Sequence, residues 1–366
     1  MNLDVTVSAR EDVPRWLAYG TPVFTVVAAL AVSAVALVAL GVNPVAAYSL
    51  MFFETATSPF GLTETLVKAV PLILTGLAVY VPLRAGLWNI GAEGQLYVGG
   101  IAGTWIGLNV GLPGVALVPV AFLGAAVAGG IWAGIPGWLK AKWDVNEIIT
   151  TLLLTFVAIQ LTNYAVRGPM QGGAGNFPVS AMLPPAAQLP TLFGTSIHVG
   201  LILAVLAVIG TYVFVNKTQF GFEVTFVGSN PDAAHQAGMS IYKVYLFVFL
   251  LAGAFAGFAG VSEIAGVQAR LRPDFSPGYG FTAIPIALLG RNGAFRVLLA
   301  ALFFALLFVG GSSMEVTFGV PAALVDVIQA LIILFLITAE FIKTYEVDVR
   351  MERERSKQPT GHVEEV

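Results

Sequence analysis

The sequence has no cysteine and only three histidines, at positions 198, 235 and 362. The first absence excludes disulfides, thiol catalysis and thiolate metal sites. The second leaves too few and too scattered ligands for a histidine metal centre. Charge is scarce as well: Asp, Glu, Lys and Arg make up 11% of 366 residues, against about 25% in soluble domains. The basic residues number 18 and the acidic ones 21, for a net charge of −3. No basic cluster of the kind that nucleic-acid binding needs is present. There is no phosphate-binding loop of the form GxxxxGK[ST], because Lys217 and Lys243 lack the preceding glycines. No Ser-His-Asp set or His/Asp cluster falls in the apolar runs, which argues against a membrane-embedded enzyme. Segment 1–20 is polar and mixed in charge, and the apolar run behind it is too long for a cleavable signal.

What the chain has in excess is apolar sequence: 57% hydrophobic residues and 40 glycines, with a mean hydropathy of +0.84. Long apolar runs exclude an alternating porin-like barrel. The composition points to an all-α fold, a polytopic membrane helical bundle. A crossing helix needs about 20 mostly apolar residues. Candidates lie near 22–42, 66–83, 93–109, 114–136, 148–166, 197–215, 244–266, 295–312 and 320–342. A tenth stretch, 281–290, is too short to cross as a regular helix.

Cytoplasmic loops carry the excess of Lys and Arg. Lys140 and Lys142, Lys217 and Lys243, Arg291 and Arg296, and the basic residues of the tail fall on one side if 281–290 completes a crossing. The expectation is therefore about ten crossings, the eighth broken, with both termini cytoplasmic. Lys68, Arg167, Arg270 and Arg272 are left outside as exceptions. The domains are a cytoplasmic segment 1–20, one transmembrane domain 21–343 holding a cytoplasmic loop 216–243, and a tail 344–366. Outer loop 168–196, with Gly172, Gly173 and Gly175, reads as irregular.

Small residues recur every fourth position at Gly99, Gly103, Gly107 and Gly111, at Ala126, Gly130 and Gly134, and at Gly253 and Gly257. Such stripes let helix backbones approach closely. Two polar stretches stand out against this background. The first runs from Arg84 to Gln95 and holds three glycines, Asn89 as a helix cap, and Glu93. An ionisable group at membrane depth is costly unless paired or solvated; a plain cytoplasmic turn is the other reading. Glu263, late in the seventh span, poses the same choice. The second stretch is Gly228-Ser-Asn-Pro-Asp-Ala-Ala-His-Gln-Ala-Gly238. Asn230 caps, Pro231 starts and Gly238 stops a helix of about two turns. It is either a surface connector or a docking knob for a cytoplasmic partner. Asp144 and Glu147 read as a capping box for the fifth span.

The string GLWNIGAEGQ at 86–95 closely resembles a signature of membrane permeases of ATP-binding-cassette (ABC) importers, of the branched-chain amino acid, ribose and nucleoside type. The loop at 228–238 is similar to that group's coupling loop. VNEII at 145–149, FSPGYGF at 275–281, ALLGRN at 287–292, LVD at 324–326 and QALIILF at 329–335 agree with it. The resemblance covers residues 60–340 and is nearest to the simple-sugar/nucleoside importer subgroup, with nucleosides favoured.

The resemblance implies a permease subunit in the cell membrane, not an enzyme and with no catalytic residues, metal or cofactor of its own. ATP and magnesium would be bound by partner ATPase subunits. A second permease chain, the same or different, and an extracytoplasmic substrate-binding protein complete the expected partners, beside membrane lipid. Coupling to the ATPase maps onto Gly228, Asn230, Pro231, Ala234 and Gly238. The substrate path maps onto Trp88, Asn89, Glu93 and Gln95, with Glu263, Phe275 and Tyr279 behind them. The rival reading is an ion-coupled secondary transporter of a small polar solute, which broken helices and a buried glutamate would also suit.

Overall fold

The computed structural model describes residues 2–9, 15–172, 177–192 and 194–352. Gly173, Gly175 and the tail from 353 onward lie outside them. In chain order the elements are β1 (Asn2–Ala9), α1 (Arg15–Ala39), α2 (Pro44–Tyr48), a π-helical turn Ser49–Glu54, α3 (Thr55–Thr57), α4 (Pro59–Arg84), α5 (Ala92–Asn109), α6 (Gly114–Trp143) and α7 (Glu147–Arg167). Then follow α8 (Gly200–Lys217), α9 (Gln219–Ser229), α10 (Pro231–Gln236), α11 (Ile241–Glu263) with a π-helical turn Ile264–Gln268, α12 (Tyr279–Leu289), α13 (Ala294–Phe318), α14 (Ala322–Thr344) and β2 (Tyr345–Glu352).

All ten expected apolar stretches are helical. Among the described residues, seven helices are long and apolar enough to cross a membrane: α4, α6, α7, α8, α11 with its π turn, α13 and α14. α12 has only 11 residues, and α5 opens with Glu93 and Gln95 inside its first turns.

The chain forms two compact units, 1–36 with 330–366, and 37–329. In the first, β1 pairs antiparallel with β2, from Asn2 opposite Glu352 to Ala9 opposite Tyr345. Both segments were expected as plain cytoplasmic ends. Their period-two alternation, with Val5 and Val7 against Val349 and Val347, suits a pleated pair instead. The membrane-spanning body remains helical.

In the second unit, α11 packs between α5 and α6 through glycine. A Cβ at Gly99 would collide with the Gly257 Cα, and one at Gly129 with the Gly253 carbonyl oxygen. One at Gly260 would strike the Leu96 carbonyl. The expected stripe is thus shared on α6 by a second row, Ala125, Gly129 and Ala133, all buried. Gly111 lies past the end of α5 and meets open space.

Among its described residues, loop 168–199 has no regular element beyond one short 3₁₀ turn at Pro185–Ala187. Its backbone is nonetheless pinned along the end of α11. The amides of Ser180, Leu183 and Leu189 donate to the carbonyls of Leu271, Ala269 and Ala265 at 3.0, 2.8 and 2.9 Å. His198 closes the loop, buried against Gly200 and Gly266. Its Nδ1 accepts from the Gly200 amide at 3.2 Å.

The capping box expected at 144–147 does not form. Asn146 is the cap, accepting from Ile148 and Ile149. Asp144 ends α6 in a left-handed conformation (φ 52°). Lys140 draws both acids away, at 2.7 Å to Asp144 and 3.3 Å to Glu147. That lysine holds the exposed Asp144 carboxyl below its ordinary pKa.

Candidate functional site

Helix α4 is the axis around which the site is built. Past its last residue the chain turns back along it: Asn89 Nδ2 donates to the Ala78 carbonyl at 3.1 Å. Asn89 Oδ1 accepts from the Gly91 amide, and its side chain pairs head to tail with Gln95 at 2.8 and 3.0 Å. Asn89 therefore braces the turn rather than capping α5, whose cap position is Gly91. This turn delivers the start of α5 to the start of α12, where Glu93 accepts from the Gly280 amide at 2.6 Å. Thr75 of α4 reaches the Tyr279 carbonyl at the same junction, at 3.3 Å. Thr75 stands nine residues before the end of α4, so α5 and α12 both begin beside α4 about 13 Å back from that end. Free N–H groups at such a helix start attract a carboxylate, and Glu93 supplies one.

On the other side of Tyr279 lies a second buried carboxylate. Glu263 accepts from Gln268 Nε2 at 3.0 Å and faces Lys68 Nζ at 3.8 Å. Lys68 also donates to the Tyr279 hydroxyl at 3.0 Å. Gln268 donates a second bond, to the Phe275 carbonyl at 2.6 Å, and the Phe275 ring packs on Tyr97 with centroids 4.6 Å apart. Glu263 Oε2, Gln268 Oε1 and Ser262 Oγ are buried without a partner. Buried acceptors in that state call for a donor from water or a ligand.

Above this cluster opens a cavity of about 620 Å³. Phe60, Glu64 and Lys68 of α4 line one wall, and Phe308, Ser312 and Ser313 of α13 the other, with the buried Tyr279 as its floor. Ser196 of the long loop donates to Glu64 at 2.9 Å.

The structure thus brings Glu93, Glu263, Phe275 and Tyr279 to one junction, and of these only Tyr279 lines the cavity. Trp88 sits half-buried in the turn at 85–91, and Asn89 and Gln95 spend their polar atoms on each other and the backbone. Glu64, Lys68, Ser312 and Ser313 were not singled out as path residues. Lys68 had left a signal, a lysine on the wrong side of the charge rule inside an apolar run. Among the described residues no group of three or more His, Asp or Glu is placed to hold a metal.

At the opposite end of α4, α10 forms as the sequence requires. Asn230 accepts from the Ala233 amide at 3.0 Å, Pro231 is the first helical residue, and Gly238 takes φ +82°. Ala234 is buried, whereas Pro231, Asp232, His235 and Gln236 are exposed.

Comparison with known proteins decides what kind of molecule carries this arrangement. Residues 61–337 match the family described as branched-chain amino acid transport system / permease component. The chain belongs to that family. Among its curated relatives, "Glucose ABC transporter permease protein TsgB13" of Haloferax volcanii is 65% identical over 98% of this chain and 97% of the relative. "Guanosine ABC transporter permease protein NupP" of Bacillus subtilis is 37% identical, covering 88% of this chain and 94% of that one. "Nucleoside ABC transporter permease protein NupB" of Lactococcus lactis is 31% identical over 88% and 91%. This permease is accordingly a multi-pass membrane protein and a non-catalytic subunit of a sugar/nucleoside-type ABC importer. ATP hydrolysis in such importers belongs to a partner ATPase.

Proposed function

We propose that this permease forms one half of the translocation path of an ATP-driven importer for a neutral, sugar-bearing solute, a glucose-like hexose first and a nucleoside second. The observation that carries the reading is the cavity above Tyr279. Its 620 Å³ is within the range of about 300–1,000 Å³ that small-molecule sites occupy. Two phenylalanines offer flat faces to a sugar ring or base. Glu64, Lys68 and the serines supply hydrogen bonds along its walls. The 65% identity to a permease named for glucose favours the hexose; the guanosine and nucleoside relatives favour the second reading.

In this reading the body crosses about ten times with both ends in the cytoplasm, and the cavity opens outward, toward an extracytoplasmic binding protein. A second permease chain supplies the other half of the path. The exposed side of α10 docks the ATPase, with Asn230, Pro231 and Gly238 fixing its ends and Ala234 its buried face.

The test is uptake of labelled glucose, guanosine and uridine by cells carrying this chain with its partner subunits. The ATPase is either intact or disabled in its P-loop, with and without a protonophore. Uptake that requires the intact ATPase and survives the protonophore is expected. Uptake that ignores the ATPase and collapses with the protonophore would overturn the reading in favour of an ion-coupled transporter.

A further inference from the structure

The cytoplasmic end of α4 and the last turn of α9, which leads into α10 through Asn230, touch backbone to backbone. Gly86 adopts φ +76°, and a Cβ there would stand 3.2 Å from the Gly228 carbonyl oxygen. A Cβ at Gly228 would in turn collide with the Arg84 carbonyl. Beside this contact the Arg84 guanidinium donates to Thr225 Oγ1 at 3.2 Å, and Arg84 Nε is buried without a partner. Side-chain packing can slide by changing rotamers; two glycines in contact leave nothing to rotate, so a displacement of one backbone is passed to the other. Gly228 lies three residues before Pro231, the start of α10. Arg84 is the last residue of α4, whose other half carries Thr75 and Lys68 to Tyr279. Lys68 and Arg84 stand 16 positions apart, about 24 Å of helix, with Pro71 and Pro82 inside that stretch.

We propose that the close approach of Gly86 and Gly228 is the joint through which α10 drives α4, and through α4 the floor of the cavity. This inference rests on the reading of α10 as the ATPase-docking helix. It makes Gly86 and Gly228 positioning residues: they touch neither solute nor ATP, and act by fixing how far α4 follows α10.

The chain has no native cysteine, so Ser312→Cys is a background-free reporter inside the cavity. Its rate of modification by a small thiol reagent is measured in the reconstituted complex with and without a non-hydrolysable ATP analogue. With the native joint the analogue is expected to change the rate by at least about fivefold, the low end of ordinary allosteric coupling. Adding Gly86→Ala is expected to abolish that change while the ATPase still co-purifies and hydrolyses ATP at its basal rate. An unaltered nucleotide response in the Gly86→Ala protein overturns the joint. No nucleotide response with Gly86 in place overturns the ATP-coupled reading itself, and the joint with it. Should Gly86→Ala fail to assemble, Thr225→Val, which removes the acceptor for Arg84 beside the joint together with the hydroxyl's bond to the Gly221 carbonyl within α9, carries the same test. There a reduced response supports the joint and a full one overturns it.

Discussion

Lys68 serves two partners at once, the Glu263 carboxylate and the Tyr279 hydroxyl. Its ammonium is partly exposed to the cavity, whereas Glu263 is almost fully buried, so the two ends of the pair are unequal. Removing the lysine strands a buried carboxylate; removing the carboxylate returns the lysine to water. Lys68→Met is therefore expected to lower stability by about 1–3 kcal/mol and to lower uptake. Glu263→Gln should be milder in stability. The double variant should regain most of the lost thermal midpoint without regaining uptake, because the charge imbalance is gone but the polar floor is not restored. A thermal melt of the four proteins of this cycle measures the coupling directly; additive losses would show that the two side chains do not act as a pair. The sequence made Glu263 visible as an acid inside an apolar run, and Tyr279 only through the FSPGYGF stretch at 275–281 that carries the family resemblance. It hid Ser312 and Ser313, because small residues in a membrane helix read first as packing.

Local chemistry settled short elements well where one residue type has one job. Asn230, Pro231 and Gly238 specify α10 outright, and the helix forms as they dictate. Asn230→Ala removes a bond worth about 1 kcal/mol from a helix of six residues. It should loosen α10 enough to reduce ATPase co-purification, and Asn230→Asp or Asn230→Ser should restore it. The same rules misplaced the caps at Asn89 and Asp144: Asn89 Oδ1 serves the Gly91 amide and Gln95 Nε2, and Asp144 pairs with Lys140 one turn before it.

The long loop is the other element with a clear expectation. Burial pushes His198 down to about 4. In the undocked loop the imidazole titrates near 6.5. The undocked form therefore binds more protons between these values, so docking is strongest above pH 6.5 and weakens as pH falls toward 4. Hydrogen exchange at the amides of Ser180, Leu183 and Leu189, corrected for intrinsic rate, should accelerate across that interval. His198→Gln should flatten the profile; an unchanged slope would exclude His198 as its source.

For the molecule as a whole, hydrophobic runs located the long helices but not α2, α3 or α9, and charge bias supplied an expected sidedness. Neither carries the register between helices, which depends on which glycine of α6 meets which glycine of α11. Sidedness is directly testable because the chain lacks cysteine. His235→Cys and Ser196→Cys, both at exposed positions, lie at opposite ends. An impermeant thiol reagent added to intact cells should label Ser196→Cys and spare His235→Cys until the membrane is opened. The reverse pattern would invert the topology.

Glycine contact between α5, α6 and α11 also divides labour within the molecule. Three helices seated backbone on backbone have no slack, and any slip between them meets hard repulsion at once. Such a seat favours movement of the three as one block, with α12 fastened to it at Gly280, where a Cβ would strike the Glu93 backbone. Contacts that can repack lie instead around α4, where Gly76 faces the side chains of Ile286 and Val297.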